Sequence, residues 1–185
     1  MRIIIGITGS TGVIYGIRIL EVLKDTKVET HLIMSEWAQK CISMETSYDV
    51  EYVKSLATTF SDEKNMAASI SSGTHKIDGM IVIPCSMKTL SSIANGYDET
   101  LIARAGGVTL KESRKLVLVA RETPLTAINL ENMLKLARLG VVIMPPVTEF
   151  YTNPTSIDAI IDHIVGKCLD QFDIEHSLFT RWGSE

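Results

Sequence analysis

The sequence predicts an α/β fold in which helices cover both faces of a parallel β-sheet. Three observations point to it: short apolar runs rich in Val and Ile recur along the chain, helical patterns separate them, and the runs are apolar at nearly every position. Strands that are buried on both faces have this composition, and a helix between two strands is the usual connection that makes them parallel.

Five segments are predicted as strands, because each is a β-branched apolar run that ends at a polar, proline or glycine-rich segment. They are residues 2–8, 30–34, 79–83, 116–120 and 141–144. Segment 46–77 mixes polar residues with a weak helical pattern, so no strand is predicted there.

Helices are predicted between these strands and after the last one. Residues 12–24 carry apolar side chains at helical spacing, and Ser35 can cap a helix that starts at the next residue. The helix predicted over 125–139 ends at Gly140, a favourable residue after a helix C-terminus. A capping-box pattern opens a last helix over residues 156–172.

The bulk composition fits one globular domain over residues 1–185, with 45% hydrophobic and 22% charged residues. A net charge of −4 gives no electrostatic reason to expect a nucleic-acid partner. No apolar run approaches the roughly 20 residues of a membrane helix, and the chain opens on a strand without a secretion leader. We therefore expect a cytoplasmic protein that neither binds nucleic acid nor crosses a membrane.

The cysteines and histidines do not form a recognisable metal or disulfide pattern. Three cysteines lie far apart, and the four histidines lack zinc-binding spacing. A thiol at Cys85, before a predicted helix, has a lowered pKa if the helix N-terminus reaches it, but no histidine is close in sequence. We expect Cys85 to be a buried structural residue and the site to contain no metal.

Polar and glycine-rich residues follow the predicted strands where each one ends, which is where open α/β sheets bind ligands. After the first strand comes Gly6-Ile7-Thr8-Gly9-Ser10-Thr11-Gly12, a loop that suits a phosphate or nucleotide. Its glycine spacing is neither that of dinucleotide-binding folds nor that of a P-loop, and a tight strand–helix turn is the structural alternative. Ser86 fits either a helix cap or a ligand contact.

Charged residues at the fourth predicted strand leave two interpretations open. Arg121 and Glu122 follow that strand directly, where a charged pair is costly to bury without a purpose. A salt-bridged pair at the rim is the alternative. Lys111 belongs to a charge run typical of solvated surface, and Tyr151, Lys167 and Trp182 carry no individual signal.

A series of motifs resembles the UbiX-like flavin prenyltransferases, including proteins long labelled phenolic acid or hydroxybenzoate decarboxylase subunits. In chain order these are GITGSTG, IMS, METS, SSGT, PCSMKTL, LIARA, LKE, LVLVARETPL, LENML, PPVTEFY and TRWG. They span essentially the whole chain, and their joint order is far more specific than any one of them.

The resemblance implies a three-layer α/β/α sandwich of flavodoxin-like or Rossmann-like type, assembled as a dodecamer with sites between subunits. It implies metal-independent transfer of the dimethylallyl group of dimethylallyl monophosphate to N5 and C6 of reduced FMN. The product, prenylated FMN, would serve a separate UbiD-like decarboxylase.

The resemblance also implies roles for individual residues. The residues that would contact or line the flavin are Gly9, Ser10, Thr11, Ser35, Ser86, Arg104 and Arg121. Those that would hold the donor phosphate are Lys111, Arg121, Tyr151 and Lys167. Glu45 and Glu122 would handle protons, and Trp182 would face the prenyl chain.

Four positions, in three segments, depart from the family pattern. Thr11 stands where many relatives have Ser, and Gly106-Gly107 where they usually have Ala-Asp. Lys167 replaces an Arg, which keeps the charge but loses the bidentate geometry of a guanidinium on phosphate. None of these changes removes a required functional group.

Three other functions share parts of this pattern. An FMN-dependent cysteine decarboxylase would have the same fold, but the chain lacks a histidine where such enzymes place a base. An NAD-binding oxidoreductase with Glu36 on the ribose conflicts with the glycine spacing. A non-catalytic flavin-carrier subunit of a decarboxylase differs from an enzyme in having no turnover of its own.

Overall fold

The computed structural model of the chain describes residues 1–183. It contains two compact units, residues 1–145 and a shorter one that begins at Pro146. The single domain over residues 1–185 stays a prediction, and each unit is described by itself below.

The first unit is built on a six-stranded, all-parallel sheet. Its strands are β1 Arg2–Ile7, β2 Glu29–Met34, β3 Thr59–Asp62, β4 Gly79–Cys85, β5 Lys115–Ala120 and β6 Val142–Ile143. They lie in the order β3-β2-β1-β4-β5-β6, the arrangement of the Rossmann fold. The predicted α/β/α fold with a parallel sheet is confirmed.

The helices of this unit form two groups. They are α1 Val13–Lys24, α2 Glu36–Glu45, α3 Val50–Leu56, α4 Met87–Asn95, α5 Leu101–Lys111 and α6 Ala127–Arg138. The first three pack with one another, while α4 packs with both α5 and α6. Of the helices described in residues 1–183, none has the length and apolar character needed to cross a membrane.

Both faces of the sheet are buried, as the uniformly apolar strands predict. On one face Ile4, Met80 and Leu118 pack with α4, α5 and α6 in a single core cluster. On the other face α1 lies close to the sheet at Gly16, where a Cβ atom would sit 2.5 Å from the carbonyl oxygen of Ile83. A larger residue at position 16 would push α1 off the sheet.

Helix α3, strand β3 and helix α5 of this unit are not predicted from the sequence. β3 has the polar sequence Thr-Phe-Ser-Asp and pairs only with β2 at the sheet edge, so it needs no continuous apolar run. Helix α5 contains Gly106 and Gly107, which weaken a helical pattern. Its buried side, which includes Ile102, Ala105 and Val108, holds it in place.

The second unit contains α7, Ile157–Asp170. Ser156 caps this helix by accepting a hydrogen bond from the backbone N of Ala159 at 3.1 Å. At its other end, Asp170 accepts two hydrogen bonds from Arg181, at 2.6 and 3.0 Å, and lies 3.1 Å from Nε2 of His176. The hydrogen bond from Arg181 is the main reason that the pKa of Asp170 is lowered. These contacts fasten the C-terminal segment to α7.

Candidate functional site

β1 and β4 border a crevice at the carboxyl edge of the sheet. They are neighbours, but the chain continues from β1 to one side of the sheet and from β4 to the other, so the loops that follow them diverge. Thr8 ties the two loops together. Its hydroxyl donates to the carbonyl oxygen of Pro84 and accepts from the backbone N of Ser86, both at 2.8 Å.

The glycine-rich loop after β1 leaves no room for side chains at its turn. A Cβ atom on Gly9 would overlap the Cβ atom of Trp37. Gly12 has φ +96°, in the left-handed region that favours glycine, and immediately precedes α1. Its backbone N donates to the carboxylate of Glu45 at 2.8 Å, so Glu45, at the end of α2, is part of this loop's support.

The middle of the same loop reaches the end of β5. The hydroxyl of Ser10 donates to the carbonyl oxygen of Arg121 at 3.1 Å, and Thr11 is exposed on the loop. The backbone N of Arg121 donates to the carbonyl oxygen of Cys85 at 3.0 Å. The structure thus brings together Gly9, Ser10 and Thr11 with the residues that follow β5.

Ser35 and Ser86 each cap the helix that starts at the cleft. Ser35 accepts from the backbone N of Ala38 at 3.0 Å, and Ser86 accepts from the backbone N of Thr89 at 3.4 Å. The capping interpretation of Ser86 is therefore correct. It does not exclude the ligand contact, because Ser35 and Ser86 both line the cleft.

The cleft also contains residues that the sequence interpretation did not single out. Trp37, in the first turn of α2, is 63% exposed and lines the cleft beside Gly9. Lys88, in the first turn of α4, places a cation in a cleft that also contains Glu63 and Glu99. The sequence could have indicated them by their position, because each lies two residues after a capping serine at the end of a predicted strand.

Arg121 and Glu122 do not form the rim salt bridge that was the alternative interpretation. Among the described residues, no carboxylate pairs with the half-buried Arg121. Its charge is felt by Tyr15, whose pKa is raised by burial and lowered in part by Arg121. Glu122 is exposed, and its carboxylate accepts a hydrogen bond from the backbone N of Thr123 at 3.1 Å. Arg121 is thus a cation open to an external anion.

Cys85 is the buried structural residue that the sequence predicts. It has no exposed surface, and burial raises the pKa of its thiol far above the usual range, so the reactive thiolate is not formed at neutral pH. Within residues 1–183, no group of three or more His, Cys, Asp or Glu side chains is arranged to hold a metal ion.

The guanidinium of Arg104 binds to residues of the first unit that lie outside the cleft. It pairs with Asp98 at 2.9 Å and donates to the carbonyl oxygen of Ser71 at 3.0 Å, and Arg104 is not among the residues that line the cleft. The departure at Gly107 lies beside this pair, since a Cβ atom there would sit 3.1 Å from Oδ1 of Asp98. An Asp at position 107 would place a second carboxylate next to Asp98.

Lys111 lies at the opposite edge of the sheet from the cleft. Helix α5 begins next to Thr100, which lines the cleft, and Lys111 is its last residue. β5 starts only four residues after Lys111, so Lys111 lies near the amino end of that strand. Lys111 pairs with Glu112 at 2.7 Å and thereby lowers the pKa of that carboxyl group. The first unit therefore does not bring Lys111 to Gly9 or Arg121.

The second unit brings together Tyr151 and Trp182, two residues that are predicted to contact the prenyl donor. The rings of Tyr151 and Trp182 meet edge to face, with centroids 5.3 Å apart. The pKa of Tyr151 is raised, first by desolvation and then by the charge of the Glu149 carboxylate and a hydrogen bond to it. Lys167 is half-buried on α7, and no carboxylate in residues 1–183 pairs with it.

Comparison with known proteins identifies the family. The model of the Flavoprotein family matches residues 1–169. The chain is 48% identical to the flavin prenyltransferase UbiX of Methanocaldococcus jannaschii, with full coverage of both proteins. It is 49% identical to the dodecameric FMN-dependent UbiX-like decarboxylase of Escherichia coli O157:H7, with a TM-score of 0.96 and full coverage of both chains.

A second solved relative is AnUbiX, in complex with FMN and dimethylallyl pyrophosphate. It is 49% identical, with a TM-score of 0.97 over all of this chain and 98% of that one. The peptidyl-cysteine decarboxylase EpiD shares only the fold, at 20% identity and a TM-score of 0.64 over 80% of this chain and 82% of that one. The chain therefore belongs to the flavoprotein family and, within it, to the UbiX-like flavin prenyltransferases.

Proposed function

We propose that the chain is a flavin prenyltransferase that joins the dimethylallyl group of dimethylallyl monophosphate to N5 and C6 of reduced FMN. The prenylated FMN would supply a UbiD-like decarboxylase. The observation that carries the proposal is full-length similarity to a relative solved with both FMN and a dimethylallyl donor. That donor is the pyrophosphate, so both phosphate forms belong in the assay.

The residues that line the cleft of the first unit favour a phosphate-bearing ligand such as FMN. Helices α2 and α4 begin at its wall, at Ser35 and Ser86, and the positive ends of helices favour a phosphate. Lys88 adds a side-chain cation. Gly9 adds no Cβ atom to the loop after β1, which lets a ligand approach the backbone at this position.

The donor phosphate would be held by Arg121 and Lys167, which pair with no carboxylate among the described residues, and by Tyr151 and Lys111. The protonated hydroxyl of Tyr151 is a hydrogen-bond donor. Lys111 would come from a neighbouring subunit, because its own unit places it away from the cleft. These charges stabilise the departing phosphate without requiring a metal ion.

The carboxylates and Trp182 complete the proposed catalytic groups. Glu122 is exposed beside Arg121 and would protonate the leaving phosphate. Glu45, at the glycine-rich loop, would accept the proton released at C6. Trp182 is 81% exposed and packs against Tyr151, and its ring would shield the prenyl carbons and stabilise positive charge on them.

Gly9→Ala is expected to weaken FMN binding about tenfold, or about 1.4 kcal/mol, because the clash with Trp37 displaces the loop that lines the cleft. The added Cβ atom meets the backbone-proximal Cβ of Trp37, which cannot swing aside. Fluorescence titration with FMN measures the effect. Gly140→Ala is the control for general destabilisation, since it strains the backbone at φ +84° but its Cβ atom meets no atom within 4 Å. Equal FMN affinity for wild type and Gly9→Ala would place the flavin elsewhere.

The native protein is expected to be an oligomer, with a dodecamer as the proposed state. A site that needs Lys111 needs a second chain, because Lys111 is remote from the cleft of its own unit. Light scattering should give a mass many times 20.4 kDa. A fully active monomer would show that Lys111 has no part in the site.

An enzyme and a flavin carrier differ in turnover. With no decarboxylase present, the enzyme should convert several molecules of reduced FMN per chain when the dimethylallyl donor is in excess. Conversion that stops at one flavin per chain would favour the carrier subunit. We also propose a cytoplasmic location, since the three cysteines are free thiols, as a reducing compartment keeps them.

A further inference from the structure

A buried histidine without an assigned role lies beside Tyr151. His163 is on α7, with 3% of its surface exposed. Its ring stacks on Phe179, with centroids 4.3 Å apart, and stands perpendicular to Tyr151 at 5.6 Å. His163 therefore contacts Tyr151, a proposed ligand of the donor phosphate. Tyr151 also contacts Trp182.

The carboxylate of Glu149 is shared between His163 and Tyr151. Oε2 of Glu149 lies 2.6 Å from Nε2 of His163. The two atoms are not aligned for a hydrogen bond, so the contact is one of charge, an ion pair when the imidazole is protonated. Nδ1 of the ring has no hydrogen-bond partner within residues 1–183. The same carboxylate is hydrogen-bonded to the Tyr151 side chain, whose hydroxyl is the donor, and this contact raises the pKa of Tyr151 after desolvation and the Glu149 charge.

A phosphate on the Tyr151 hydroxyl would lie near this carboxylate. The negative phosphate and the negative Glu149 carboxylate would repel each other. This repulsion is strongest where protein has replaced water. Glu149 is only one-third exposed, and His163 is almost fully buried, so solvent screens the pair incompletely. A positive imidazole on Glu149 would offset the carboxylate charge that the phosphate meets.

We propose that His163 is a positioning residue that neutralises Glu149, so that the Tyr151 hydroxyl can leave this carboxylate and donate to the donor phosphate. The inference rests on the proposed function, because it takes Tyr151 as a ligand of that phosphate. A role in packing alone is the competing explanation, since the ring also fills the space between Phe179 and Tyr151. If His163 acts through its charge, the effect of replacing it on the donor KM depends on the Glu149 carboxylate. If it acts through packing alone, the effect does not depend on that carboxylate.

A double-mutant cycle separates the two roles. We expect His163→Gln to raise the donor KM about tenfold, a coupling of ordinary size for charges in contact, with kcat and FMN affinity little changed. Glu149→Gln alone should leave the donor KM near that of wild type. His163→Gln with Glu149→Gln should return the KM to within about threefold of wild type. A double variant as impaired as His163→Gln would overturn the inference.

Two further measurements keep the test decisive. If thermal unfolding shows that His163→Gln does not fold, His163→Phe retains an aromatic ring and runs the same cycle. If the wild-type protein makes no prenylated FMN, the proposed function fails, and calorimetric titration with inorganic phosphate runs the cycle without turnover. Phosphate affinity that falls with His163→Gln and recovers in the double variant would support the inference on its own. The same phosphate affinity in all four proteins would overturn it.

Discussion

Glu122→Gln is expected to lower kcat by about 10²–10⁴-fold, the usual loss when a general acid is removed. Glutamine keeps the shape of the side chain but cannot give a proton to the departing phosphate. The donor KM should change far less than kcat, because the lost interaction forms only as the C–O bond breaks. Steady-state rates at saturating reduced FMN measure both constants.

The structure sharpens this test by removing its main alternative. A rim salt bridge to Arg121 would be worth about 0–1 kcal/mol, and no such pair occurs in residues 1–183. Glu131→Gln, on the exposed side of α6, is the matched control and should leave the rate unchanged. A Glu122→Gln enzyme that turns over at the wild-type rate would remove Glu122 from the catalytic groups.

Lys167→Ala is expected to raise the donor KM about 10–100-fold, because a hydrogen bond to a charged group is worth about 1.5–3 kcal/mol. The side chain pairs with no carboxylate among the described residues, so its charge is available to a phosphate. FMN affinity should stay nearly intact, which distinguishes donor binding from flavin binding. Donor titrations alongside FMN titrations give the two quantities.

Lys167→Arg provides the matched partner to this variant. A guanidinium can contact two phosphate oxygens at once, so the donor KM should equal or fall below that of the wild type. Lys24→Ala, an exposed lysine at the end of α1, controls for the loss of a positive charge. If Lys24→Ala and Lys167→Ala behave alike, Lys167 acts only through net charge.

The sheet could be predicted because burial on both faces leaves a signal in composition. β1, β4 and β5 are apolar almost throughout, and the structure places them at the centre of the sheet. β3 could not be predicted in this way, because an edge strand with one neighbour tolerates polar residues. The same logic placed the site at the carboxyl ends of the strands, where Thr8 and Ser86 are found in contact.

Individual site residues were harder to predict, because a single side chain has no periodicity. Trp37 and Lys88 line the cleft but look like ordinary first-turn residues in the sequence. Tyr151 and Trp182 entered through the family resemblance alone, and their contact is seen only in the structure. The placement of Lys111 away from the cleft depends on the direction of α5, which no local pattern reveals.

The central claim is prenyl transfer to the flavin, and the mass of the flavin tests it most directly. The protein is incubated without oxygen with reduced FMN and dimethylallyl monophosphate, and in parallel with the pyrophosphate, and the extracted flavin is analysed by mass spectrometry. We expect a flavin heavier by one five-carbon isoprene unit, with phosphate released in equal amount from the monophosphate. Unmodified FMN with both donors, under conditions where a UbiX relative forms the product, would contradict it.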